Sequence, residues 1–218
     1  MKFIPLFPTY AVSTVLDNPI TKEEINYIKQ IEKLIRTPER RSSSSNFRSV
    51  DSYVLDKPAL VHLKTEIFKQ VHRAFEELYQ PQDGVEIYIT QSWVNFTDFN
   101  QYHVPHYHPN SVISGVYYVD AIEETDRIVL LRPRPTYPLP LEIWPRSFPK
   151  YGENNINEKT SPFMELPVKS GELLLFRSDQ VHTVPQLKTR TQRISLAFNT
   201  FVRGNLGSED NLCALQLN

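Results

Sequence analysis

The sequence predicts an α+β chain that is mainly β: two amphipathic helices packed outside one sheet of an antiparallel sandwich or barrel. Three observations predict it. Two segments before residue 85 repeat apolar side chains at helical spacing, five segments after it are rich in β-branched and aromatic residues, and no helical pattern separates those five. With 218 residues, 40% hydrophobic and 22% charged, the chain can bury one substantial core, so a single domain over 1–218 is expected. Within it, 1–84 supplies a strand and the helices, and 85–218 supplies the β-rich body.

The opening "MKFIPLFPTYAVSTVLDN" begins apolar, but two prolines break it and no long apolar run follows, so it reads as a first strand and not as a signal or a membrane span. "NPITKEEINYIKQIEKLI" then offers Asn18 as a cap, acidic residues in the first turn, and Ile25, Ile28, Ile31 and Ile35 on one face. The serine-rich "RTPERRSSSSNFRSVDSYVLD" reads as a solvated loop with a short strand near Tyr53 and Val54. From Pro58 to Tyr79, Leu60, Leu63, Ile67, Val71, Phe75 and Leu78 repeat along a second helix that starts on a proline. His62 and His72 lie on it and read as packing or surface residues.

The strands expected next are "VEIYITQSWVNFT", "SVISGVYYVD", "RIVLLRP", "ELLLFRS" and "RISLAFNTFV". About half of the 17 prolines fall between Pro133 and Pro167, so 133–170 reads as an irregular insertion, with Trp144 as a candidate lid over a substrate. Lysine plus arginine (24) nearly balances aspartate plus glutamate (25), which gives no strong signal for nucleic acid or a membrane surface. The single cysteine, Cys213, cannot form an internal disulfide and fits a cytoplasmic location.

Three of the six histidines, His103, His106 and His108, crowd into "QYHVPHYHPNSVISGVYYVD". His106 and His108 are two apart, so an extended backbone turns both to one side, where they can share an ion. "GELLLFRSDQVHTVP" presents His182 in the loop after a strand, and three imidazoles suit iron, zinc, copper or nickel better than magnesium or calcium. Beyond it, Arg193 and Ser195 share one face of a strand. An arginine facing the inside of a barrel is costly unless it meets an anion, and its planar fork matches a carboxylate.

From about Trp93 to Arg203 the chain resembles the 2-oxoglutarate and Fe(II)-dependent oxygenase superfamily, in its prolyl 4-hydroxylase-like branch. The run G-Q-Y-Y-E-P-H-F-D of that branch is matched by Asn100 to His108, "NQYHVPHYH". In this register His106 is the first iron ligand, His103 stands where the second tyrosine lies, and His108 stands where the carboxylate ligand should be. His182 matches the distal ligand histidine, and Arg193 with Ser195 matches the R-x-S receptor for the distal carboxylate of 2-oxoglutarate. More narrowly, "HYHPNSVISGVYYV" resembles a subgroup of marine bacteria and their phages with H-x-H-P-x-S-x-x-S-G-x-Y-Y.

The resemblance implies a double-stranded β-helix (jelly-roll), Fe(II) held by His106, His108 and His182, and 2-oxoglutarate as co-substrate on Arg193 and Ser195, with Asn95 hydrogen-bonding it. Hydroxylation of a small-molecule or peptide substrate, with release of succinate and CO2, is the implied activity; a phage-encoded protein would act in its host's cytoplasm, and a homo-oligomer is open. His103, Ser111, Ser114, Tyr117 and Asn199 are candidates for lining the cavity or supporting the site, with at most one of Tyr117 and Tyr118 entering it because they alternate. Gly115 marks a bulge or a close approach. The exchange of the triad carboxylate for an imidazole leaves the metal more positive, and Asp120 or Asp179 are alternatives for that place. Two competing readings are a cupin-like barrel that holds metal on three histidines without oxidising anything, and an interaction protein with a decayed motif. The first predicts metal binding without 2-oxoglutarate dependence.

Overall fold

Alternating runs of apolar and polar residues pair here as two antiparallel sheets. The computed structural model describes residues 1–2, 4, 8–35, 46–132 and 161–217. In chain order the elements are β1 (Ala11–Val15), α1 (Lys22–Ile35), β2 (Phe47–Arg48), α2 (Val61–Tyr79), β3 (Glu86–Thr97), β4 (His103–His106), β5 (Ile113–Asp120), β6 (Arg127–Leu131), β7 (Phe163–Pro167), β8 (Glu172–Arg177), β9 (His182–Val184), β10 (Arg193–Leu206) and β11 (Leu215–Leu217). The larger sheet runs β1-β8-β5-β10-β3-β2, with β11 on β10, and the smaller runs β4-β9-β6-β7.

The two-residue period of the larger sheet divides its side chains between two faces, with Phe198 of β10 belonging to the core and also touching the pocket. Val94, Phe96, Tyr117, Leu173, Leu175, Ile194 and Leu196 join the main core with Ile28 of α1 and Leu63, Ile67, Val71 and Phe75 of α2. This is the expected helix-covered face. Residues of the opposite parity, including Trp93, Asn95, Val116, Tyr118, Arg193, Ser195 and Ala197, line a pocket toward the smaller sheet.

α1 starts with a capping box on Thr21, not on Asn18: the Glu24 amide donates to Thr21 Oγ1 at 3.2 Å and the Thr21 amide to Glu24 Oε2 at 2.9 Å. Asn18 lies too far before the first turn, and its amide instead donates to Glu66 Oε2 at 3.0 Å. Glu24 Oε1 also accepts the Leu63 amide at 2.7 Å in the first turn of α2, so one carboxylate caps two helices. His62 joins it, with Nδ1 3.0 Å from Glu24 Oε2, a partner no local pattern announces.

Other sequence expectations shift. The short strand lies at Phe47 and Arg48, while Tyr53 makes an isolated bridge to Ser92 and Val54–Asp56 is a 3-10 turn. Leu78, counted on the apolar face of α2, is exposed. β4 and β9 emerge from a proline-interrupted run and a loop reading, and β7 emerges inside the segment read as irregular; each is only three to five residues long, too short for periodicity to register. Trp144 and the rest of 133–160 lie outside the described residues. Among the described residues no helix is long and apolar enough to cross a membrane.

Gly115 sits on β5 without a bulge. A Cβ there would stand 2.2 Å from Phe198 Cζ and 2.8 Å from Leu175 Cδ2, so glycine is needed for close approach of side chains.

Candidate active site

β4 and β9 pair with His106 directly opposite His182, which sets two imidazoles side by side on the smaller sheet. His108 follows two residues beyond His106, just past the strand end, where its amide donates to Ser178 O at 2.9 Å and its ring packs against Trp93 at 5.7 Å between centroids. Each of the three offers a ring nitrogen, and those nitrogens all lie within 4.8 Å of one another. His182 comes from a buried strand end instead of an open loop, and strand pairing fixes it more firmly than a loop would.

Backbone carbonyls select the tautomers. His106 Nδ1 lies 2.8 Å from Val104 O, and His182 Nδ1 lies 3.0 Å from Gln180 O. A carbonyl can only accept, so each Nδ1 carries the proton and each Nε2 is left with a lone pair. His108 Nε2 stands 3.4 Å from His182 Nε2. Burial keeps all three neutral: His182 is pushed down to about 3 and His108 to about 4, chiefly by desolvation, and His106 is lowered for the same reason. Neutral imidazoles with converging ring nitrogens are the donor set that a borderline divalent metal takes, so the residues fit one.

The other end of the pocket is cationic. Arg193 is 5% exposed, faces inward from the first position of β10, and its side chain has one hydrogen bond among the described residues, to Thr97 Oγ1 at 3.4 Å. Ser195 follows on the same face, directly across from Asn95 on β3 and Tyr118 on β5. Asn95 Oδ1 accepts from Asn46 Nδ2 at 3.5 Å. Between the two ends Ile128, Phe176, Val184 and Phe198 make apolar walls.

The remaining candidates divide. His103 lines the pocket with its ring 4.1 Å from that of His106, and burial pushes its pKa down to about 4, with the charge of Arg193 acting in the same direction. Ser114 lines it too and hydrogen-bonds Ser178 and Asn199. Ser111 and Asn199 do not reach the pocket; Ser111 sits before β5, accepts from Ser178 Oγ at 2.7 Å and acts only through that chain of hydroxyls. Tyr117 is a correction: strand alternation turns it into the helix-side core, 1% exposed, and Tyr118 takes the pocket face. Asp120 and Asp179 stay out of the histidine cluster, and Asp179 is exposed and paired with Arg177 at 2.7 Å.

Sequence reasoning missed Asp126. It lies in the turn before β6, is 3% exposed, and brings Oδ1 to 4.0 Å from Arg193 Nη1. Its position in "EETDR" has the look of an ordinary turn aspartate, and only the β6 to β10 distance reveals the other role.

A family model described as "Putative 2OG-Fe(II) oxygenase" matches residues 91–199, half of the chain, where 2OG stands for 2-oxoglutarate. No curated protein sequence matches the chain. Similar solved structures include an oxidoreductase of the 2OG-Fe(II) oxygenase family from Burkholderia pseudomallei, with 12% identity, TM-score 0.55, and 88% of this chain and 84% of that chain covered. HygX from Streptomyces hygroscopicus, solved with nickel, 2-oxoglutarate and hygromycin B bound, gives 12%, 0.54, 88% and 83%. A viral collagen prolyl hydroxylase from Paramecium bursaria Chlorella virus-1, solved with 2-oxoglutarate, gives 13%, 0.53, 88% and 95%. At these identities the likeness speaks for the fold, a double-stranded β-helix.

Proposed function

The chain belongs to the 2OG-Fe(II) oxygenase family, and from that premise we propose that it is an Fe(II)- and 2-oxoglutarate-dependent dioxygenase that hydroxylates a small-molecule or peptide substrate, with release of succinate and CO2. One observation carries this reading: a single pocket has three neutral imidazoles converging at one end and a buried guanidinium at the other. His106, His108 and His182 would hold the metal. Iron with its co-substrate supplies the oxidative chemistry, and the protein supplies binding, orientation and exclusion of water.

Arg193, whose side chain has one long hydrogen bond among the described residues, would offer its N–H fork to the distal carboxylate of 2-oxoglutarate, and Ser195 and Asn95 stand next to it as hydrogen-bonding side chains. Val104 O and Gln180 O hold the rings of His106 and His182 in the metal-ready tautomer. Ile128, Val184 and Phe176 keep the centre dry. The H-x-H-P run, which supplies two of the three histidines, supports placement in the subgroup of marine bacteria and phages, and the lone Cys213 supports a cytoplasmic site of action.

The test is succinate release from 2-oxoglutarate. Production that requires Fe(II), 2-oxoglutarate and dioxygen together, and that disappears in His106→Ala, supports the reading. Metal bound at full stoichiometry with no succinate and no 2-oxoglutarate binding favours the cupin-like alternative.

A further inference from the structure

Arg193 is a buried cation whose neighbours leave most of it unmet. A guanidinium carries five N–H donors, and the described residues give this one a single hydrogen bond, at 3.4 Å to Thr97. Its counter-charge is Asp126, 3% exposed, at 4.0 Å, too far for a hydrogen bond. Asp126 Oδ2 accepts the Ile122 amide at 2.8 Å, which pins the carboxylate, whereas the buried Oδ1 has no hydrogen-bond partner among the described residues. Tyr118, the other group near the guanidinium, is held protonated by burial, so it supplies no charge. Asp126 does not itself line the pocket.

We infer that Asp126 is the resident counter-ion of Arg193, and that it sets how tightly the co-substrate's distal carboxylate binds. This rests on the proposed 2-oxoglutarate site. A clamp that positions an arginine holds it with paired, short hydrogen bonds. Asp126 does the reverse: it neutralises the guanidinium from a distance and leaves the N–H fork open toward the pocket. Charge counting agrees. With three neutral histidines, a divalent metal, a dianionic co-substrate and Arg193 leave one positive charge uncompensated, and Asp126 cancels it from behind the arginine instead of from the metal shell. The carboxylate that lets Arg193 stay buried in the empty pocket also opposes the arrival of a second carboxylate.

The experiment compares wild type with Asp126→Asn. Thermal unfolding of the metal-free proteins and anaerobic titration of the Fe(II)-loaded proteins with 2-oxoglutarate are both read. Asp126→Asn should lower the melting temperature of the metal-free protein while binding 2-oxoglutarate more tightly, on the order of tenfold. A purely structural role would not tighten binding. Unchanged or weaker 2-oxoglutarate binding in the variant, with wild type binding normally, overturns the inference; a wild type that binds none overturns the functional reading beneath it. If Asp126→Asn alone does not fold, Asp126→Asn combined with Arg193→Gln removes both charges and should recover folded protein. Failure of that double variant to fold also overturns the pairing.

Discussion

The two faces of the larger sheet are built to different standards. On the helix side, Leu63, Ile67, Val94, Phe96 and Leu196 interlock in a dry core, and the buried carboxylates of Glu24 and Glu66 are met by backbone amides, His62 and Lys69. The amide nitrogen of Gln70 is the exception there. On the pocket side, His108 Nε2 and His182 Nε2 face each other at 3.4 Å, and among the described residues the Arg193 guanidinium has one long hydrogen bond and Asp126 Oδ1 has none. The same strands supply both faces, so the difference lies in what each was left to complete. The helix face completes itself. The pocket face is complete only with a cation and an anion in it.

The largest effect should come from His182→Ala. It removes one of the three imidazoles proposed to hold the metal and should cost more than about 100-fold in metal affinity, with turnover lost, since changes in a ligand's supporting partners already cost 10 to 100-fold. The metal-free melting temperature should barely move. Metal analysis and calorimetry check this together, and a large loss of metal-free stability would erase the distinction between the faces. Leu63→Ala is the converse. It opens a cavity in the fully buried core and should cost about 2–5 kcal/mol, seen as a lower denaturation midpoint, while metal stoichiometry stays unchanged.

A smaller loss, about 1 kcal/mol, should follow Thr21→Ala, which removes the side-chain half of the capping box on α1. Acid sharpens the contrast further. Lys69 beside Glu66 holds its carboxyl down to about 2, against an ordinary 4.5. A depressed carboxylate pKa means that stabilisation is fully present above about 4.5 and is lost as pH falls toward 2. Glu66→Gln should therefore flatten the acid limb of a stability-against-pH curve in that window, and an unaltered limb would place the charge pairing elsewhere. The smallest effect belongs to Asp179→Asn. That carboxylate pairs with Arg177 in solvent, so stability should change by under about 0.5 kcal/mol and metal affinity should not change.

Much of this was written into the sequence because it depends on local rules. Helical spacing at Leu60 to Phe75 and the alternation along "VEIYITQSWVNFT" mark a helix and a strand because each residue's face follows from its neighbours. His106, His108, His182 and Arg193 were legible through motif order. The rest depends on distance in space. Glu24 capping α2 spans 39 residues and Asp126 meeting Arg193 joins the turn before β6 to β10 of the other sheet, and neither has a local signature. The Tyr117 assignment failed for another reason: alternation shows that Tyr117 and Tyr118 part company, but only the packing of the helices says which face is the core.

The most direct measurement is anaerobic titration of the Fe(II)-loaded protein with 2-oxoglutarate, following the visible charge-transfer absorption of a chelated complex, in wild type and in Arg193→Ala. Saturable absorption in wild type that demands far more 2-oxoglutarate in the variant is the expected result, because the distal carboxylate loses its fork. Bound iron with no absorption at any 2-oxoglutarate concentration, or identical curves for the two proteins, would contradict a pocket built with a metal at one end and a carboxylate receptor at the other.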